Sequence, residues 1–213
     1  MDVAEDKPRP SRREARRNDR REAILAVAHS YFLEHGYAGT SMSGIAATIG
    51  GSKATLWSYF PSKEALFEAV LDHATTLFRQ QLSPLLEGGG EPEAVLLGFA
   101  RRFIEKVASP EAVALYRLVH AEVGRFPEIG AIFDQRGPRT THRMLGGYLE
   151  SAMERGLLRR SDPIVAARML TAMCLAGYQQ QMLLSCAEAP DSAMIAAYAE
   201  MVVELFLRAY APD

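Results

Sequence analysis

The 213 residues are 48% hydrophobic with a formal net charge of −2, enough apolar material for a real core and too much for a disordered chain. The longest charge-free stretch, 169–187, is interrupted by Thr171, Gln179, Gln180, Gln181 and Ser185, so no membrane span is expected. The chain also starts without the apolar run of a secretory signal, and the cytoplasm is the expected compartment.

Charge is unevenly placed. Residues 7–21 carry Lys7, Arg9, Arg12, Arg13, Arg16, Arg17, Arg20 and Arg21 against Glu14 and Asp19, a local charge of +6, while the residues after Glu64 sum to −4. A basic arm on an acidic body suits a DNA-facing end, although a solubilising tail would look the same. Residues 1–18, with Pro8 and Pro10, read as that arm, polar and flexible.

Helical periodicity follows. Ile24, Val27, Ala28, Tyr31 and Phe32 lie on one face of a first helix, which Gly36 should end. Thr40 or Ser41 caps a second, with Met42, Ile45, Ala46 and Ile49 inward, and Gly50-Gly51 stops it. Ser52 caps a short third helix whose Leu56, Tyr59 and Phe60 face inward, leaving Lys53, Thr55, Trp57 and Ser58 outward. Pro61 breaks it, and Ser62 caps a fourth running to Leu82. Two short helices across a tight Gly turn form a helix-turn-helix over residues 40–60, its outward hydroxyl, ammonium and aromatic groups suited to a major groove.

The run Gly88-Gly89-Gly90 centres a linker over 83–92. Beyond it, helices are expected at 93–107, 110–123, 128–155 with a kink or break at Gly137-Pro138, 163–185 and 191–210. Asp162-Pro163 is an N-cap followed by Pro at the first helical position. No period-two strand pattern appears, so the fold class is all-α. Cys174 and Cys186, twelve residues apart, would be separated by roughly 18 Å on one helix and cannot pair there; both read as core or interface thiols. The five histidines form no metal-ligand spacing, and no phosphate loop, dinucleotide fingerprint or nucleophile elbow occurs. Neither an enzyme nor a metal or cofactor is expected.

Residues 20–70 resemble the TetR/AcrR family of transcriptional regulators. The likeness rests on Gly36-Tyr37, Thr40-Ser41-Met42, Ile45-Ala46, Gly50, Ser52, Thr55-Leu56, Tyr59-Phe60 and Ser62-Lys63-Glu64-Ala65-Leu66. Residues 115–119 (Leu-Tyr-Arg-Leu-Val), Phe126-Pro127-Glu128 and Arg136-Gly137-Pro138 are similar to the AefR-like branch. Three positions depart from the pattern: Trp57 stands for the usual Tyr, Gly51 for an apolar plug and Ala54 for a common Gly.

The resemblance implies a DNA-binding domain over 19–66, and an effector-binding and dimerisation domain over 67–213. It implies phosphate contact at Thr40, Ser41, Trp57, Tyr59 and Lys63, base or sugar-phosphate contact at Lys53, Ala54, Thr55 and Ser58, and a place for Ser52 in the same DNA-binding set. The partners expected are a near-palindromic double-stranded operator, a second copy of the chain and a small, mostly apolar effector. Phe78, Phe99, Phe103, Tyr116, His120, Phe133, Met144, Tyr148, Met173 and Tyr178 are the candidate effector residues, with His120 the preferred polar group. Ile195, Tyr198, Val202 and Phe206 recur along the last helix as a candidate dimer stripe. The alternative is a helical interaction module that keeps the helix-turn-helix without regulatory DNA binding.

Overall fold

The computed structural model describes residues 11–212. Among these the regular structure is helical throughout, without a strand, and the chain divides into two compact units at Val70/Leu71. The expected boundary, 66/67, and this division lie four residues apart within the same helix, the fourth, which runs Lys63–Glu87.

The first unit holds α1 (Arg12–Gly39), α2 (Met42–Ile49), α3 (Lys53–Tyr59) and the start of α4 (Lys63–Glu87). Helix α1 begins within the expected arm, because Ser11 and Glu14 form a capping box. The Ser11 backbone N–H donates to the Glu14 carboxylate at 2.7 Å, and the Glu14 N–H donates to Ser11 Oγ at 3.2 Å. That reciprocal pair satisfies two otherwise orphaned donors, and arginine is a good helix former. Arg12 to Asn18 are therefore helical, which corrects the flexible reading there; Lys7 and Arg9 lie outside the described residues.

At Gly36 the backbone leaves the helix with φ 70°, and one further turn follows. Ile24, Leu25, Ala28 and Phe32 of α1 are buried. Phe32 and Tyr37 meet Phe67 edge-on, with centroids 5.1 and 5.3 Å apart. Helix α2 packs on α1 and α3.

The second unit holds the rest of α4, then α5 (Pro92–Val107), α6 (Pro110–Glu122), α7 (Pro127–Arg136), α8 (Pro138–Glu154), α9 (Pro163–Leu175), α10 (Tyr178–Leu183) and α11 (Ser192–Ala209). Helices α5 to α9 each open with proline, where its missing N–H costs nothing and its fixed φ suits the first turn. Helix α4 runs past Leu82, through Pro84, to Glu87, so the linker is shorter than expected. Proline there removes one ladder bond only a turn from the helix end.

The break at Gly137-Pro138 is present. A second, unforeseen break at Gly177 splits 163–185 into α9 and α10. A Cβ at position 177 would lie 2.5 Å from the Tyr198 ring, and the Tyr198 hydroxyl donates to the Met173 carbonyl at 2.8 Å. The tyrosine of α11 thus occupies the break and supplies a donor to the end of α9. The core joins Phe78 and Leu82 of α4 to Leu96 and Phe99 of α5, Leu149 of α8, Leu170 of α9 and Phe206 of α11.

Candidate functional site

Helix α2 starts at Ser41, whose hydroxyl accepts the Gly44 N–H at 3.1 Å. It ends on Gly50 in the left-handed region at φ 68°, a conformation that glycine adopts without strain. Ser52 then caps α3 by accepting the Thr55 N–H at 3.1 Å, and the two hydroxyls lie 2.9 Å apart. Leu56 and Phe60 are buried and Tyr59 is half-buried, while Ser52, Lys53, Ala54, Thr55, Trp57 and Ser58 are exposed. Trp57, the only tryptophan, is 47% exposed although it has the largest side chain of the helix. The outward face of α3 is the expected one.

Two expected phosphate ligands also make contacts within the unit. Thr40 is buried, 3% exposed, and its hydroxyl donates to the Gly36 carbonyl at 2.6 Å; it closes α1, and Ser41 alone caps α2. The Lys63 ammonium donates to the carbonyls of Tyr37 at 2.9 Å and Thr40 at 3.2 Å, and sits 4.1 Å from the centre of the Tyr37 ring. A cation on the last carbonyls of a helix is a favourable arrangement in itself.

Beside it, the Glu64 carboxyl has its pKa held below the ordinary value, first by its own backbone N–H, then by the Ser62 hydroxyl. At Gly51 the absent apolar plug has a substitute: a Cβ there would lie 2.9 Å from the Arg20 guanidinium. Arg17 and Arg21 lie 5.9 and 5.6 Å from the centres of the Tyr59 and Phe60 rings. The basic stretch therefore packs beside the helix-turn-helix, a placement the charge count alone did not indicate.

In the second unit a cavity of ≈ 150 Å³ is lined by Phe78, Phe103, Tyr116 and Phe133, together with Thr75, Lys106, Val107, Leu115, Thr141, His142 and Thr171. Four of the ten candidate effector residues line it. Phe99 is one layer deeper, fully buried and stacked on Phe103 at 5.5 Å. Met144 and Tyr148 line a separate cleft with Leu86 and Gly89. Met173 and Tyr178 pack against the core instead, Tyr178 meeting Tyr198 edge-on at 5.5 Å.

His120 is exposed, its Nδ1 2.7 Å from the Tyr116 carbonyl and its ring stacked on Tyr116 from outside. It is not a lining residue. The histidine that lines the cavity is His142, whose Nε2 lies 3.0 Å from Thr171 Oγ1. That hydroxyl also lies 3.0 Å from the Ala167 and Arg168 carbonyls, so its one proton is shared among three neighbours. Burial, then the Arg168 charge, lowers the His142 pKa against the opposing pull of Asp134.

Lys106 and His142 were missed; His142 stands in the polar run Arg139-Thr140-Thr141-His142-Arg143, which gives no signal. Lys106 continues the Phe99–Phe103 stripe at the next helical step, and a charge on an apolar stripe was the available signal.

Two members of the candidate dimer stripe are core residues. Val202 and Phe206 are each 1% exposed and belong to the core of their own unit. Ile195 and Tyr198 are half-buried against it. The outward apolar residues are Met194, Met201 and Leu205 on α11, with Ile164, Val165 and Met169 on α9. Helix α11 is apolar on both faces, so periodicity alone could not choose between them. Of the thiols, Cys174 is buried in the core and Cys186 is exposed; burial pushes Cys174 up to about 12, which makes it unreactive.

Two short helices across a glycine turn, with a polar face held outward, define a helix-turn-helix DNA-binding protein. The sequence model described as "Bacterial regulatory proteins, tetR family" matches residues 24–70, and that of the "AefR-like transcriptional repressor, C-terminal domain" matches residues 94–212. The chain belongs to the TetR family of transcriptional regulators, with an AefR-like C-terminal domain, and is not an enzyme.

A TetR-family regulator from Mesorhizobium loti is 28% identical, with 92% of this chain and 98% of that chain covered and a TM-score of 0.80. The flavonoid-responsive regulator FrrA is 32% identical over the same shares, with a TM-score of 0.77. The HTH-type transcriptional repressor NemR of Escherichia coli K12 is 26% identical over 162 residues, 74% of this chain and 81% of NemR. Among the described residues no helix is long and apolar enough to cross a membrane.

Proposed function

We propose that the chain is a cytoplasmic, homodimeric repressor that reads a near-palindromic operator with α3 and leaves it when a small effector occupies the C-terminal cavity. The observation that carries the reading is the outward face of α3. Lys53, Thr55, Trp57 and Ser58 are held exposed on a helix whose buried Leu56, with Phe60 just beyond its end, anchors it to its own unit. A short, anchored helix with an ammonium and hydroxyls outward supplies donors and acceptors for base edges. Ser41 and Lys53 stand near helix starts, where unpaired backbone N–H groups favour phosphate.

The second copy is assigned to the outward face of α9 and α11, because a two-fold operator needs two recognition helices about one turn of DNA apart. An apolar stripe centred on Met169, Met201 and Leu205 is suited to an isologous contact. FrrA is described as flavonoid-responsive, which supports control of this chain by a small molecule. Helix α4 begins in the first unit and supplies Thr75 and Phe78 to the cavity in the second, so it is the route by which occupancy would reach the DNA-binding unit. A coupling of ~1–3 kcal/mol would weaken operator binding about 5–150-fold, and only if the effector prefers the DNA-free arrangement.

Footprinting on DNA flanking the protein's own coding region tests the reading. A protected near-palindrome is expected; protection nowhere in that DNA, at concentrations where the protein is folded, contradicts it and favours an interaction module.

A further inference from the structure

Resting on the effector reading of the C-terminal cavity, we propose that its ligand is a single-ring aromatic acid. The anionic group is held by Lys106 and the ring lies among Phe78, Phe103, Tyr116 and Phe133.

Size sets the ring count. The cavity is ≈ 150 Å³, and an apolar cavity of about 150 Å³ takes a benzene-sized guest. The four aromatic side chains set the shape. Tyr116 and Phe133 meet edge-on at 4.9 Å, while Phe78 and Phe103 are tilted at 6.2 Å, so rings of different orientation face the space and favour a flat guest.

Lys106 sets the charge. Its ammonium is half-buried and donates to a single carbonyl, that of Ala74 on α4, at 3.0 Å. No ion pair forms at Lys106 among the described residues. One neutral carbonyl satisfies one of three donors, and a partly desolvated cation without an anion is an unbalanced arrangement. Burial lowers the Lys106 pKa, with Glu111 acting at longer range in the opposite sense, and a bound anion would favour the charged form.

The bland alternative is a lysine that merely ties α5 to α4. The surroundings argue against it, because a second side chain with a donor lines the same cavity: Tyr116, whose hydroxyl makes no hydrogen bond among the described residues. Its phenol stays protonated, since burial raises its pKa. An ammonium and a phenol together match the two oxygens of a carboxylate. His142, which lines the same cavity, would suit a hydroxyl on the ring, since an imidazole nitrogen pairs with a hydroxyl in either tautomer.

The test is calorimetry on the full chain with benzoate, phenylacetate and 4-hydroxybenzoate, against benzamide and benzyl alcohol as neutral analogues. The acids should bind the wild type more tightly than the neutral analogues. Lys106→Gln, which keeps a donor for the Ala74 carbonyl, should weaken acid binding about ten- to hundredfold and leave the neutral analogues unchanged. Acids and neutral analogues bound alike, with no effect of Lys106→Gln, would overturn the anion assignment while leaving the cavity reading intact. No binding by any of these single-ring probes would overturn this inference, whereas the effector reading itself fails only if no small molecule releases the protein from its operator. Should Lys106→Gln fail to fold, the wild-type preference for acid over neutral analogue decides the matter.

Discussion

Both units cap helices with polar side chains, Ser109, Asp162 and Asp191 doing so in the second, but they differ in what the remaining polar groups do. In the first, hydroxyls and ammonium groups sit at helix ends: Ser11, Ser41 and Ser52 cap α1, α2 and α3, and Lys63 closes the far end of α1. Having satisfied the backbone, they leave an outward surface whose shape is set by local chemistry. In the second, Lys106, His142, Thr171 and Tyr116 gather around a cavity far apart in sequence, and several keep bonding capacity unused. A surface built from caps is rigid and made for a partner of regular shape, whereas a cavity with spare donors and acceptors is made for a guest that completes it.

The largest effect expected comes from cutting the first unit's core. Phe67→Ala removes the ring that meets both Phe32 and Tyr37 and should cost ~3–5 kcal/mol. The loss should be confined to that unit. Trp57 lies in the first unit alone, so its fluorescence should report an earlier unfolding transition while most of the far-UV helix signal melts as before. A single shared transition moved as a whole would show that the units are not separate in stability.

Next in size is the contrast between the two faces of α11. Met201→Glu with Leu205→Glu should give folded monomers by sedimentation, whereas Phe206→Glu buries a charge in the core and should unfold the second unit. An intact dimer in the first variant would reject the outward face as the interface.

Lys63→Ala sharpens the cap-versus-contact distinction. Losing two charge-assisted bonds should cost on the order of 1–2 kcal/mol of stability, with the salt dependence of DNA binding unchanged. A slope lowered by about one unit would instead return Lys63 to the phosphate backbone.

The smallest effect concerns His142. Its pKa in the fold is depressed by burial, so the unfolded chain takes up the proton first. Stability should therefore hold above the ordinary histidine value of about 6.5 and fall as pH drops through the depressed one. Melting curves between pH 7.5 and 5 should show a steeper loss for the wild type than for His142→Gln. Equal slopes would mean that the ring is not shielded.

How much could be read in the sequence follows the same division. Caps and turns are local, so the start of α3, the Gly50 turn, the exposure of Lys53 and Trp57, and the break at Pro138 were all legible. Thr40 and Lys63 each serve a helix end, a role that the sequence does not separate from awaiting a phosphate, because the same hydroxyl or ammonium suits both. In the second unit, His120 and His142 are both histidines within helical runs, and only the packing of α6, α8 and α9 shows which lines the cavity. Gly177 broke a helix for a reason lying twenty-one positions away, in the ring of Tyr198. Contacts between elements decide these cases, and a single periodic stripe does not contain them.

The central claim is that the outward face of α3 reads DNA sequence. Selection of binding sites from a random duplex library, with the wild type, Lys53→Ala and Thr55→Ala, tests it most directly. The account predicts a near-palindromic preference for the wild type, relaxed at one base position per half-site in each variant at a cost of ~1–3 kcal/mol, with melting temperatures unchanged. Selected sites identical to those of the wild type, or no selected preference at all from a folded wild-type protein, would contradict it.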